Sequence, residues 1–531
     1  MWVLSLIYLL LCVILRAYYI DYEGVAQIAT VAEGIRLNSV NFLSGWGPLG
    51  MLVFWLVTKP LSLLMPLVDS AQIVGAVSIW LSGLILYRVF RIVGLAGGLS
   101  GWLTFLFYST NVAWNGATML SFPALCLLLM ALWVLSAIRT LSARELSSAT
   151  TVRLGVLGGL LCLINLFALA PTLAGGIIAL RRGGGAGYFG SLLGITLVGY
   201  LVVYFVLPGQ VVASGVERPK PSIVEWMVTG SVSTQIDPPR LSGLYWRASG
   251  EQVQNALLAL GRPFRVRDVY QYFLGGTFIT LLKGAFLLIL LIFLIVLATI
   301  QFGGERIATE RLVASIRQLG GYALLVSLMF LILWQGDRQA LYLWTVYWAL
   351  LGLGGWLGSY YEEDAQRLSY VVPPLALVML VFGLMKVSGL RSTEHDAERQ
   401  EAEAVSAGIR EGDILVAATR LAEWLRYESG GKARVVATEY WLQPENDFRQ
   451  LLDKARQNNQ RVVVWDYALR PELFQIAMET QQSPWLESLQ KAQEVAMQEG
   501  GAYLRRYVNM VAYPTLTTWS GEVATFDPAR R

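Results

Sequence analysis

The sequence predicts a polytopic α-helical membrane protein that ends in a small soluble α/β domain. Three observations lead there. Hydrophobic residues make up 55% of the 531 and charged residues only 15%, a balance foreign to soluble globular domains. Apolar runs of about 20 residues, enough to cross a hydrocarbon core of about 30 Å, recur up to residue 390. Beyond it they stop, and short apolar strands alternate with amphipathic helices. Domains are therefore expected at 1–390 and 391–531.

The first run, MWVLSLIYLLLCVIL, has no basic residue ahead of it and no small-residue cleavage pattern behind it, so it reads as a retained span. Spans are expected at about 2–20, 70–91, 95–112, 118–138, 154–169, 170–181, 188–207, 276–301, 319–335, 341–359 and 368–388, about 11 transmembrane helices in all. The segment 47–66, GPLGMLVFWLVTKPLSLLMP, is apolar as well. Its prolines at 48, 60 and 66 suit a broken element in the membrane surface better than a straight crossing. With that segment outside, Arg88, Arg91, Arg139, Arg144, Arg153, Arg181, Arg182, Arg306, Arg311 and Arg317 all fall on one face. The positive-inside rule makes that face cytoplasmic. The N-terminus is then cytoplasmic, and the outer loops 16–69 and 208–275 and the C-terminal domain are extracytoplasmic, in a plasma (inner) membrane.

In the tail, DILVAA, ARVVATE and RVVVWDY are expected as strands of a parallel sheet, with TRLAEWLRYE and NDFRQLLDKARQ as the helices between them. A later helix is expected over about 485–499, and a hairpin through AYLRRYVNMVAY and LTTWSGEVATF. No G-x-G-x-x-G or G-x-x-x-x-G-K follows any of these strands, so no nucleotide is assigned.

Composition also removes several chemistries. The single histidine, His395, sits in the polar stretch RSTEHDAERQ, which excludes a Ser-His-Asp triad and a multi-histidine metal site. Cys12, Cys126 and Cys162 lie inside apolar runs at unrelated spacings and read as buried small hydrophobes. The net charge of +4 is unevenly placed, for residues 391–531 hold 17 of the 41 Lys+Arg and 21 of the 37 Asp+Glu. The membrane part is basic through its loop arginines, and no nucleic-acid signature accompanies them.

The candidate site begins at RAYYIDYEGVAQIATVAEGIRL, where Asp21 and Glu23 follow the first span. Two readings stand side by side. In one, Asp21 caps a helix beginning near Tyr22 and Glu23 complements its dipole. In the other, a carboxylate in a partly desolvated cleft at the membrane surface acts as a general base, with outer-face arginines gripping a lipid phosphate as leaving group. The two are compatible. GRPFRVRDVY supplies Arg262, Arg265 and Arg267, readable as solvated loop charge or as donor-phosphate ligands. Asn115, in NVAWNGATMLSFP, reads either as an acceptor-positioning side chain or as an amide satisfying backbone at a helix end.

The order of a first span, IDYEGVAQIATVAEGI, GPLGMLVFWLV, YRVFRIVG, FYSTNVAWNGATMLSFPALCLLLMAL and QRLSYVVPPLALVML resembles the GT-C glycosyltransferases, in particular the protein mannosyltransferase and lipid A aminoarabinose transferase group. The resemblance covers roughly residues 1–390. It implies an integral-membrane enzyme that moves a sugar from a polyprenyl-phosphate donor, with inversion, to an extracytoplasmic glycan, lipid or protein acceptor. It carries the first-loop acid of the family to Asp21, as general base, and makes Glu23 a helper or metal ligand. Mg or Mn is the cofactor it admits. Two residues apart, however, these carboxylates share a face only on extended backbone. One departure is visible: many members have a second acid in the turn before the fourth span, and NVAWNGATMLSFP has none.

Two other functions compete. A transporter or flippase needs ionisable groups buried mid-span, and the span centres hold almost none. A catalytically silent scaffold of the same fold, in an envelope assembly, fits the missing second acid.

Overall fold

The structure, a computed structural model, describes residues 2–34 (without 19 and 21), 47–206 (without 120), 210–213, 216–219, 311–333, 338–359, 362–391 (without 390), 397–438 (without 418), 444–465, 468, 501–505, 515–517 and 522–526. It divides into two compact units. One comprises Met1–Ala17, Asp69–Tyr200 and Ser249–Arg391, the other Tyr18–Val68, Leu201–Ala248 and Ser392–Arg531.

The first unit is helical. Its described elements are α1 (Trp2–Ile14) and, after α2 (Tyr22–Glu33) and α3 (Gly50–Leu61) of the second unit, α4 (Leu67–Ile92), α5 (Gly97–Ser109), α6 (Asn111–Thr118), α7 (Ser121–Ser142), α8 (Ser148–Ile164), α9 (Leu169–Arg181) and α10 (Gly185–Val206). Past strands β1 (Gln210–Ala213) and β2 (Val216–Pro219) come α11 (Arg311–Leu333), α12 (Arg338–Leu357) and α13 (Glu362–Gly389). Among the described residues three helices are long and apolar enough to cross a membrane, α4, α7 and α10, with shorter apolar helices beside them. The span expected at 276–301 lies outside the described residues.

Two expectations are refined. The predicted boundary near 169 between two spans falls earlier, at Asn165, whose extended backbone ends α8 while its Oδ1 accepts from Phe167 N at 2.9 Å. The predicted turn ahead of the fourth span is a helix, α6. Its N-cap Thr110 accepts from Ala113 N at 3.2 Å, satisfying one of the free donors of the first turn. Every residue from Val112 to Thr118 is buried, so packing holds a helix where polar and small residues read as loop.

Helices α11 and α12 run against each other through glycine. A Cβ on Gly320 would lie 2.5 Å from Gly352 N, against backbone that no rotamer change can move, whereas a Cβ on Gly352 would find ordinary contact at 3.5 Å. Gly320→Ala is therefore expected to lower stability by about 1–3 kcal/mol, and Gly352→Ala to be tolerated. Thermal unfolding of the detergent-purified variants checks the contrast; equal melting points would refute it.

The second unit contains α2, α3, β1 and β2 and the C-terminal elements α14 (Ala397–Ala407), β3 (Ile414–Ala417), α15 (Thr419–Ser429), β4 (Arg434–Ala437), α16 (Pro444–Gln457), β5 (Val462–Val464), β6 (Thr515–Thr517) and β7 (Glu522–Phe526). The three predicted strands pair in parallel, with Ile414 opposite both Arg434 and Val462. Sheet order is β4-β3-β5-β7-β6. The buried runs ILVA and VVV explain the central strands, since strands covered on both faces are continuously apolar. Helix α16 carries Glu445 and Asp447 in its first turn and Lys454 and Arg456 in its last, opposing its dipole at both ends.

The sheet is mixed where a parallel one was expected, because β7 joins β5 antiparallel, Val462 opposite Phe526. The predicted hairpin is also displaced. It is formed by Thr515–Thr517 and Glu522–Phe526, Thr517 opposite Glu522, while residues 502–505 of the expected first limb are helical. Leu504 is fully buried in the core of Ile414, Val416, Val436, Phe448 and Val464, and Tyr503 packs on the same cluster. Burial of those two side chains on one side favours a helical turn over strand alternation. The helix expected at 485–499 lies outside the described residues.

The predicted surface element 47–66 forms α3, 12 residues that end at Ser62 just after Pro60. At about 1.5 Å per residue it is about 18 Å long, too short for a crossing of about 30 Å.

Candidate functional site

Of the residues singled out in the sequence, Asp21, Arg262, Arg265 and Arg267 lie outside the described residues. Glu23 falls in the first turn of α2, which starts at Tyr22 as the capping reading expects. Asn115 stands in the middle of α6, 2% exposed, its carbonyl accepting from Met119 N at 2.7 Å.

Around α6 the first unit shows how the end of the first span is held. Gln72, 3% exposed on α4, donates through Nε2 to the carbonyls of Ala17 at 2.9 Å and Thr118 at 3.0 Å. One buried amide thereby joins the chain leaving α1, the shaft of α4 and the C-terminal end of α6, satisfying carbonyls that would otherwise be costly to bury. Beside it Arg16 pairs with Asp69 at 2.6 Å, with both side chains about one-third exposed. Deeper in the same unit Tyr8 stacks on Tyr108, ring centroids 4.4 Å apart, and meets the Trp114 edge at 5.0 Å. Tyr108 donates to the Trp80 carbonyl at 2.6 Å. Gln72 and the Arg16–Asp69 pair thus hold Arg16 and Ala17, which precede Asp21 in the sequence by five and four residues.

In the second unit α2 packs on α15. Arg426 of α15 donates from Nε to Glu33 Oε1 at 2.9 Å and from Nη2 to Glu33 Oε2 at 2.7 Å, a bidentate fork. Its Nη1 meets Glu423 Oε2, and Nη2 also reaches Thr30 Oγ1 at 3.4 Å. The Arg426 side chain is 6% exposed, Glu33 13% and Glu423 4%. Burial by itself pushes the guanidinium down; the Glu423 and Glu33 carboxylates outweigh it and hold Arg426 above its usual value. A second buried pair, Arg461 with Asp413 at 2.5 Å, lies at the foot of β3 and β5, with Arg410 N also on Asp413 at 2.7 Å.

Neither Gln72 nor Arg426 stood out in the sequence. An amide inside the apolar run SAQIVGAVSIW was the available signal for the first. Arg426 offers none, for TRLAEWLRYE reads as an ordinary helix with charges on its solvent face.

Among the predicted cytoplasmic arginines, Arg182 and Arg311 both donate to the Arg144 carbonyl, at 3.2 and 3.0 Å, so they close helix ends. Among the described residues no three His, Cys, Asp or Glu side chains gather as a metal set would require.

No family model matches the sequence, and no curated relative does. Among solved structures the chain is similar to ArnT from Cupriavidus metallidurans bound to undecaprenyl phosphate, at 13% identity and a TM-score of 0.52. The match covers 90% of this chain and 94% of that one. The fold is thus ArnT-like over 90% of the chain, as the order of segments from the first span to QRLSYVVPPLALVML predicts for residues 1–390.

Proposed function

We propose that this chain is an integral-membrane glycosyltransferase, taking a sugar from a polyprenyl-phosphate donor and passing it with inversion to an extracytoplasmic acceptor. The observation that carries the reading is the ArnT-like fold over 90% of the chain, shared with a structure bound to undecaprenyl phosphate. The first-loop acid and the basic outer loop add to it. The N-terminus is cytoplasmic and the C-terminal domain extracytoplasmic in this reading.

Asp21 is the general base. It takes the proton of the acceptor hydroxyl as that oxygen attacks the anomeric carbon. The bond between that carbon and the phosphate oxygen breaks on the opposite side, which inverts the centre, and the electron pair leaves with the polyprenyl phosphate. Arg262, Arg265 and Arg267 balance the charge gained by that phosphate. Glu23 assists Asp21, and Asn115 orients the acceptor.

The second reading, a silent scaffold in an envelope assembly, is favoured by one observation: the sequence through α6 and into the start of α7, residues 110–123, contains no acid. Membranes containing the protein and a radiolabelled pool of polyprenyl-phosphate sugars separate the two. Wild type is expected to move label to an acceptor; no transfer with any donor in the pool would leave the scaffold.

A further inference from the structure

We propose that Arg426 and Glu33 form a clamp by which the C-terminal α/β domain positions the first-loop helix, and with it the residue that begins that helix. Arg426 is then a positioning residue for the proposed transfer, acting through α2. The inference rests on Asp21 being the base, but its structural half stands independently.

The partners are unlike an ordinary surface pair. Exposed pairs such as Arg449–Glu445, 66% and 58% exposed, contribute little and are easily broken. The Arg426–Glu33 pair is buried, bidentate and joins residues 393 positions apart. Its geometry is also held from the α15 side by Glu423, one turn earlier on the same helix. Thr30 Oγ1, one turn before Glu33, lies at 3.4 Å from the same guanidinium. Two successive turns of α2 are thus registered against one side chain. The two helices also pack on each other, and Val25 and Ala29 of α2 and Ala422 and Leu425 of α15 are buried.

The consequence follows from helix geometry. Helix α2 has 12 residues and is about 18 Å long, so a rotation or slide allowed at Glu33 is transmitted to Tyr22 and hence to Asp21. General-base catalysis demands hydrogen-bond distance to the acceptor hydroxyl, and a misplacement of about 1 Å costs up to about 100-fold in rate. Donor binding through the arginines of another loop makes no such demand on α2. Loss of the clamp should therefore lower kcat and leave KM for the lipid donor unchanged.

The variant of choice is Glu33→Gln. It keeps the shape of the side chain and leaves Arg426 its Glu423 partner, so the domain stays folded. Arg449→Ala, which breaks only the exposed pair, is the control. Hydrogen exchange on the full-length protein in nanodiscs and transfer kinetics in the same preparation are the two readouts. Expected in Glu33→Gln are at least about tenfold faster exchange in residues 22–33, unchanged exchange in 434–437, and kcat lower by about tenfold or more at constant KM. Unchanged exchange in 22–33 would overturn the clamp. Faster exchange with unchanged kcat would overturn its positioning role. A wild type that transfers nothing would remove the proposed function, and the exchange arm would still decide whether the clamp exists.

Discussion

Asp21→Asn is expected to lower sugar transfer by about 100- to 10,000-fold, the range a general base supplies. The amide keeps the size of the carboxylate and its capacity to cap α2, so the helix start survives and only the proton acceptor is lost. That separates the two readings of Asp21 experimentally. Under capping alone, Asn is among the best replacements available and transfer would persist. Expression, melting point and detergent elution should match wild type, and KM for the lipid donor should not move, because the base acts on the acceptor. A near-normal rate in Asp21→Asn would remove Asp21 from the chemistry whatever the fold.

Arg426→Leu is expected to be the most damaging single change in the second unit, at about 3–5 kcal/mol. The loss has a specific source. Without the guanidinium, the buried Glu33 and Glu423 carboxylates lose the cation that they share. Replacing all three by leucine should recover most of the stability, because an apolar trio of similar volume strands no charge. A triple variant as unstable as the single one would show that the cost lies in packing instead. The pH sense is also defined. Stability from a cation whose folded pKa is raised is fully present below its unfolded value and is lost as pH rises through the folded one. Arg426 is raised from an already high value, so its contribution is constant over the ordinary working range.

The elements legible in the amino-acid order are those whose signal is local. The alternation of DILVAA, TRLAEWLRYE, ARVVATE, NDFRQLLDKARQ and RVVVWDY predicts three parallel strands and two helices, and all five are present. Pro60 and the short apolar stretch before it predict a broken element, and α3 ends beside that proline. The ArnT-like fold was likewise readable from the order of segments between the first span and QRLSYVVPPLALVML. Misreadings occur where tertiary burial overrides local character. Asn111–Thr118 is polar enough to read as a turn, yet it is helical because its surroundings bury it. AYLRR reads as strand from its aromatic and aliphatic residues, yet Leu504 enters the α/β core from a helical turn.

Hydropathy and periodicity, being sums over neighbouring residues, are sufficient to read a membrane protein, its C-terminal α/β region and the acid after its first apolar run. They carry no information about which side chains meet across hundreds of residues. That Gln72 joins Ala17 to Thr118, and that Arg426 closes on Glu33, depends on the folded arrangement. The physical reason is the same in both cases: a buried polar group must find a partner, and packing alone decides which one lies within reach.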